Sequence, residues 1–284
     1  MKFWAKILFL FKILVVLTAA KFILDYIRDY DIIRLLFSIA PEYLLASLAL
    51  SVVGLVSLSA NLYIISQGKI SFLDCLLIEF YTQMMNLGVV SSFFSLPKIA
   101  WIRERVGSAK ESARIFVTQS AFGVFARASL LIIGASAVFG RWEILVLALA
   151  LAAALMLVGK VRKFILRACR MDVGVLIRVL LISMAMVFCS SASYLVLIAG
   201  LTSQQPSLAA ILLSDQVSYL SGFFSPIPAG LGVREVAFTE TTSFFGLEKE
   251  VGFSAAIISR TTLILAQIAI GAVVLARKHV LRSS

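Results

Sequence analysis

The fold class legible in this sequence is an all-α polytopic membrane protein, and three observations point to it. Hydrophobic residues make up 61% of the chain and charged ones only 14%. Mean hydropathy is +1.02, far above that of an ordinary soluble domain. The apolar residues gather in runs of the length that crosses a bilayer, about 20 residues each, and short charged or Pro/Gly-containing stretches separate them. A backbone surrounded by lipid has no water to pair with, so such runs are helices. Residues 1–284 are read as a single membrane domain.

The first segment, Ile7 to Leu24, follows Lys2 and Lys6 and contains Lys12 and Lys21. Thr18-Ala19-Ala20 would suit signal cleavage, but Lys12 interrupts the apolar core a signal sequence needs, so a retained helix with snorkelling lysines is expected. An acidic loop, Asp25 to Glu42, leads to a span over Tyr43 to Ile65, and a short loop with Lys69 precedes Phe72 to Phe94. That third segment carries Asp74, Glu79, Gln83 and Asn86, which is polar for a helix facing lipid. A basic loop, Leu96 to Arg114, and the span Ile115 to Phe139 with Arg127 inside it complete the first half. The second half runs through Ile144 to Val158, the basic loop Lys160 to Asp172, Val175 to Leu201, and an uncharged connection around Gln204 to Ser207. Leu208 to Phe224 follows with Asp215 and Gln216, then the amphipathic Val233 to Gly246, the acidic Glu248 to Glu250 and a last span, Val251 to Ala276.

One stretch is unlike everything around it. Ser225 to Glu235 places Pro226, Pro228, Gly230, Gly232, Arg234 and Glu235 between two apolar segments. The prolines remove backbone donors and the glycines open conformations denied to other residues, so a helix arriving here stops and a new one starts near Val233. The unpaired amides of that new helix, with Arg234 beside them, would suit an anion. The bland alternative is a kink or a surface turn, with Arg234 and Glu235 as a local ion pair.

The chain contains an echo of this stretch. Ser92-Phe93-Phe94-Ser95-Leu96-Pro97 with Arg103-Glu104 answers Gly222-Phe223-Phe224-Ser225-Pro226-Ile227-Pro228 with Arg234-Glu235. Arg127 and Arg260 follow inside apolar segments, all at an offset of about 130 residues. Two equivalent halves are expected, residues 1–141 and 142–284. The loop charges then orient them. With Phe72 to Phe94 and Leu208 to Phe224 as re-entrant hairpins, every basic loop falls on one side, in keeping with the positive-inside tendency. The expectation is about six full crossings plus two re-entrant hairpins, in two inverted repeats that meet near the midplane; the alternative is eight crossings.

Composition also excludes functions. The net charge of +11 reports cytoplasmic loops and anionic lipid in a chain this apolar, so no nucleic-acid partner is expected. Cys75, Cys169 and Cys189 show no metal or disulfide spacing, and the single histidine, His279, lies in the basic tail. No metal, no other cofactor and no enzymatic activity are expected.

Pro228-Ala229-Gly230-Leu231-Gly232-Val233-Arg234-Glu235, followed by an apolar segment bearing Arg260, resembles the signature of the flippase-like membrane family that includes the transmembrane region of lysylphosphatidylglycerol synthases. The resemblance covers most of the chain in segment order and length. The first half keeps Pro97 and Arg103 but lacks the paired glycines and aspartate that the family commonly has there. Membership implies moving or handling lipids, sometimes beside a soluble aminoacyl-transferase domain; these residues contain none, so a synthase is not expected.

The site expected on these grounds comprises Arg127, Arg260, Arg234, Glu235, Asp215, Pro97, Pro228, Gly230 and Gly232. An arginine inside a span persists only beside a partner or a watery cavity. A guanidinium there serves either an internal salt bridge, with Asp74, Glu79, Asp215 or Glu240 available, or a lipid phosphate that it matches bidentately. Asp215 and Gln216 serve equally as hydrogen bonders between helices. The expected activity is translocation or binding of an anionic lipid or lipid-linked saccharide in a bacterial inner or plasma membrane. The alternative is an accessory subunit of a glycosyltransferase or lipid-modifying enzyme, docked through Lys160 to Asp172. A homo-oligomer is compatible with both.

Overall fold

The computed structural model describes residues 34–35, 38–88, 96–143, 146, 171–204, 206–225, 227 and 230–283. They form eight helices: α1 Pro41–Ile65, α2 Phe72–Gly88, α3 Leu96–Val106, α4 Ala109–Phe139, α5 Val173–Leu201, α6 Leu208–Phe224, α7 Val233–Phe244 and α8 Lys249–Ser283. No strand occurs among the described residues. The segment Ile7 to Leu24, all of Ile144 to Val158 but Val146, most of the loops Asp25 to Glu42 and Lys160 to Asp172, and Ser92 to Ser95 lie outside the described residues.

Four helices are long and apolar enough to cross a bilayer: α1, α4, α5 and the Lys249–Arg277 part of α8. The protein is thus a multi-pass α-helical membrane protein. Helices α2 and α6 have 17 residues each, about 26 Å of rise, which is less than the roughly 30 Å of a hydrocarbon core. The order of a long helix, a 17-residue helix, a shorter one and a long one occurs twice, in α1–α4 and again in α5–α8.

Helix ends follow local chemistry. Pro41 opens α1, where its missing N–H is no loss. Ser108 caps α4 by accepting the Glu111 N–H at 3.4 Å, and Ser207 caps α6 by accepting the Ala210 N–H at 3.2 Å. Gly140 closes α4 in the left-handed conformation, φ 63°. The stretch Leu96 to Arg114, expected as a basic loop, is instead α3, a tight turn at Gly107 and the first turn of α4. Its charges mask an amphipathic helix: Ile102 is fully buried, while Arg103 and Arg105 sit exposed in the last turn, where cations favour the helix dipole.

Lipid offers little hydrophobic drive for helix association, so close packing and buried hydroxyls hold the helices together. Ser47 of α1 lies 2.7 Å from Ser193 of α5 and 3.0 Å from Thr262 of α8, and Asn61 Nδ2 donates to Ser183 at 2.8 Å. At Gly134 of α4 a Cβ would meet the Leu213 amide nitrogen of α6 at 3.0 Å, so α4 and α6 touch backbone to backbone. Tyr194 of α5 stacks on Phe238 of α7 at 4.1 Å between ring centroids, within an apolar cluster that also holds Ile198, Ile211 and Ala255. These contacts seat α6 between α4, α5 and α7, and that position builds the site.

Candidate functional site

The chain leaves α6 at Phe224 and turns. Ser225 Oγ accepts the Ile227 N–H at 3.1 Å, and the Ile227 carbonyl accepts the Gly230 N–H at 2.9 Å. Gly230 and Gly232 have φ of 63° and 80°, the left-handed region that glycine alone enters without cost. Helix α7 starts at Val233, directly after these two glycines. Pro228, with Pro226 and Ala229, lies outside the described residues. A Cβ on Gly222 would lie 2.1 Å from Arg234 Cγ, and one on Gly230 would lie 2.6 Å from Gly222 Cα. Gly222 and Gly230 therefore form a slot for the aliphatic stem of Arg234.

Glu235, buried in the first turn of α7, accepts the Gly232 N–H on Oε2 at 2.7 Å and the Arg260 guanidinium on Oε1. The amide expected to meet an external anion is thus met by the protein's own carboxylate, one half of a capping box. The partner of Glu235 is Arg260, one helix away on α8, and not its neighbour Arg234. The reason is rotation: consecutive residues of a helix point about 100° apart, so Glu235 turns inward to α8 while Arg234 turns to α6.

There Arg234 shares a ring with the other half of the molecule. The Arg127 guanidinium of α4 lies 3.4 Å from the centroid of Tyr219 on α6, and that of Arg234 lies 5.3 Å from the same centroid. Arg127 also donates through Nη1 to Gln216 Oε1 at 3.2 Å. Ser218 Oγ donates to the Arg234 carbonyl at 2.7 Å, tying the first turn of α7 to α6. Arg234 Nε is buried with no hydrogen-bond partner among the described residues. Behind this pair, Asp215 Oδ2 accepts from Ser191 Oγ at 2.7 Å and from Gln216 Nε2 at 3.2 Å.

The first half is built differently. Pro97 stands in the first turn of α3, half-buried, and the next residue, Lys98, donates to both Glu79 oxygens at 2.7 and 2.8 Å. Gln119 Nε2 of α4 adds a bond to Glu79 Oε1 at 2.8 Å. Of the carboxylates expected to hold Arg127 or Arg260, Asp74 pairs with Arg105 and Glu240 with Lys249, while Asp215 serves Ser191 and Gln216. The structure so brings together Arg127, Arg234 and Asp215 around α6, groups Arg260, Glu235 and Gly232 in a separate ion-paired cap, and leaves Pro97 apart from both.

Two residues of the site, Tyr219 and Gly222, and the Lys98 partner of Glu79 were not among the expected functional residues. Tyr219 and Gly222 follow Asp215 at helical spacing on α6, the signal that could have marked them. Lys98 had no local signal. Among the described residues no three His, Cys, Asp or Glu side chains gather as metal ligands would.

Fold and site together define a polytopic helical membrane protein whose polar centre is cationic and built on a short helix. The family described as lysylphosphatidylglycerol synthase TM region matches residues 9–271, nearly the whole chain, and the chain belongs to that family. A search of curated proteins finds no match.

Proposed function

We propose that this protein binds an anionic lipid or lipid-linked saccharide and carries its headgroup across the membrane. The observation that carries the reading is the convergence of Arg127 and Arg234 on Tyr219. An aromatic ring attracts both cations without neutralising either. Two guanidinium forks so held match the oxygens of a phosphate. By contrast, Arg260, Lys98, Glu235 and Glu79 are locked in pairs that hold helices together.

In this reading the halves 1–141 and 142–284 are inverted repeats, and α6 with α7 forms a re-entrant hairpin. Arg127 comes from the first half, whereas Tyr219 and Arg234 come from the second. A site shared across two bodies is exposed to one side or the other as they rock, while the acyl chains stay in lipid. Transport is favoured over headgroup transfer in this reading because the buried acids Glu79 and Glu235 are each held by a cation and Asp215 is fully buried.

The test is a proteoliposome assay that follows movement of a fluorescent phosphatidylglycerol and, in parallel, chemical turnover of its headgroup. Wild type moves the lipid without altering it, and Arg127→Leu and Arg234→Leu each abolish movement at equal incorporation. Movement that survives both changes overturns the site; headgroup turnover overturns the transport reading.

A further inference from the structure

We infer that Asp215 is a positioning residue that fixes Arg127 in the site through the amide of Gln216. Asp215 and Gln216 are both 0% exposed, so neither meets a headgroup in this conformation. Yet they form an unbroken chain to Arg127, which reaches α6 from α4. Ser191 Oγ braces the Asp215 carboxylate at 2.7 Å. That carboxylate accepts Gln216 Nε2 at 3.2 Å, and Gln216 Oε1 accepts Arg127 Nη1 at 3.2 Å.

The polarity of the amide transmits the constraint. Reversing Gln216 would set its carbonyl against the carboxylate and its NH2 against the guanidinium, and both contacts would be repulsive. The carboxylate therefore dictates which end of the amide faces Arg127, and the amide carbonyl dictates where the guanidinium lies over Tyr219. Asp215 Oδ1 has no hydrogen-bond partner among the described residues. The carboxylate is thus not consumed by a direct salt bridge, and its field acts on Arg127 through the amide. This assigns Asp215 a role other than contact with substrate, and it rests on the proposed function only in supposing that Arg127 meets the headgroup.

A double-mutant cycle on the full chain in nanodiscs tests it: wild type, Asp215→Asn, Gln216→Leu and the double variant. The first readout is the rate of phenylglyoxal modification of Arg127, followed by peptide mass spectrometry. The second is flotation with vesicles of phosphatidylcholine containing phosphatidylglycerol. Asp215→Asn is expected to speed Arg127 modification about fivefold, as for residues coupled in one network, and to weaken flotation. Gln216→Leu does the same, and the double variant goes no further than Gln216→Leu. If Asp215→Asn fails to fold, Ser191→Ala takes its place in the cycle, with a smaller effect in the same direction that again vanishes beside Gln216→Leu. Equal factors in both Gln216 backgrounds, or an unchanged Arg127 rate in Asp215→Asn, overturn the inference. Wild type that fails to float with phosphatidylglycerol overturns the lipid reading instead and leaves the modification cycle to decide the positioning role.

Discussion

The buried Glu235 carboxylate of α7 pairs with the part-buried Arg260 of α8 and also caps α7 through the Gly232 amide. One carboxylate so joins the start of one helix to the middle of the next. Arg127 and Arg260, the two arginines expected at matching places, are therefore held differently: Arg260 by a carboxylate, Arg127 by an amide and a ring.

Glu235→Gln should destabilise the protein, because it removes the carboxylate that both pairs with the part-buried Arg260 and caps α7. Breaking a fully buried pair costs roughly 3–5 kcal/mol, and this part-buried one should cost less. Glu235→Leu with Arg260→Leu should recover much of that loss, since no charge is then stranded. Lys98 and Glu79, both nearly inaccessible, should behave alike: Lys98→Met is destabilising, and Lys98→Met with Glu79→Met is milder. Thermal unfolding in detergent measures all of these. A double variant no better than its worse single variant would contradict the pairing.

Arg127→Leu should lower stability modestly, by about 1–3 kcal/mol for the buried Gln216 carbonyl left unpaired, and remove lipid movement, whereas Arg260→Leu should act on stability first. Tyr219 divides ring from hydroxyl. Tyr219→Phe keeps the face that both arginines approach and should retain activity; Tyr219→Leu removes a contact worth about 0.5–2 kcal/mol per cation and should lose most of it. Phosphatidylglycerol flotation and movement assays read the contrast, and equal activity in the Phe and Leu variants would show that the ring is only packing.

Gly222→Ala should displace Arg234, because its methyl would fall on the arginine stem 2.1 Å away. Gly230→Ala adds backbone strain of about 1–2 kcal/mol at φ 63° to a clash with Gly222. Gly123→Ala is the control: nothing lies within 4 Å of its Cβ, and alanine favours helix by roughly 0.5–1 kcal/mol. Lipid movement should fall in the first two and persist in the third. Activity retained in Gly222→Ala would mean that Arg234 does not need its slot.

The charge tally and the short α6–α7 pair predict topology. Single cysteines replacing the exposed Gln204 and Glu248, which flank that pair, should label from the same side. A cysteine at the exposed Lys110 should label from the opposite, cytoplasmic side. Impermeant maleimide on intact cells and inverted vesicles tells them apart, and labelling of Gln204 and Glu248 positions from opposite sides would restore a full crossing.

The sequence by itself determined the solvent, the helical class, the family and most helix limits. Leu208–Phe224 begins and ends where it was expected, and α7 starts at Val233. These follow because helix ends depend on local partners: a serine that can cap, a proline that cannot donate, a glycine that can turn left-handed. The helix within Leu96 to Arg114 was less legible, since its alternating charges hid a buried stripe centred on Ile102. Only the tertiary structure decided which charge meets which. Arg260 found Glu235, Lys98 found Glu79, and Arg127 found Gln216 and Tyr219 far along the chain. Such choices depend on the rotation of each helix about its axis and on the depth at which helices pass. Both are set by small-residue contacts such as Gly134 against Leu213, which bring residues together without regard to their distance in sequence.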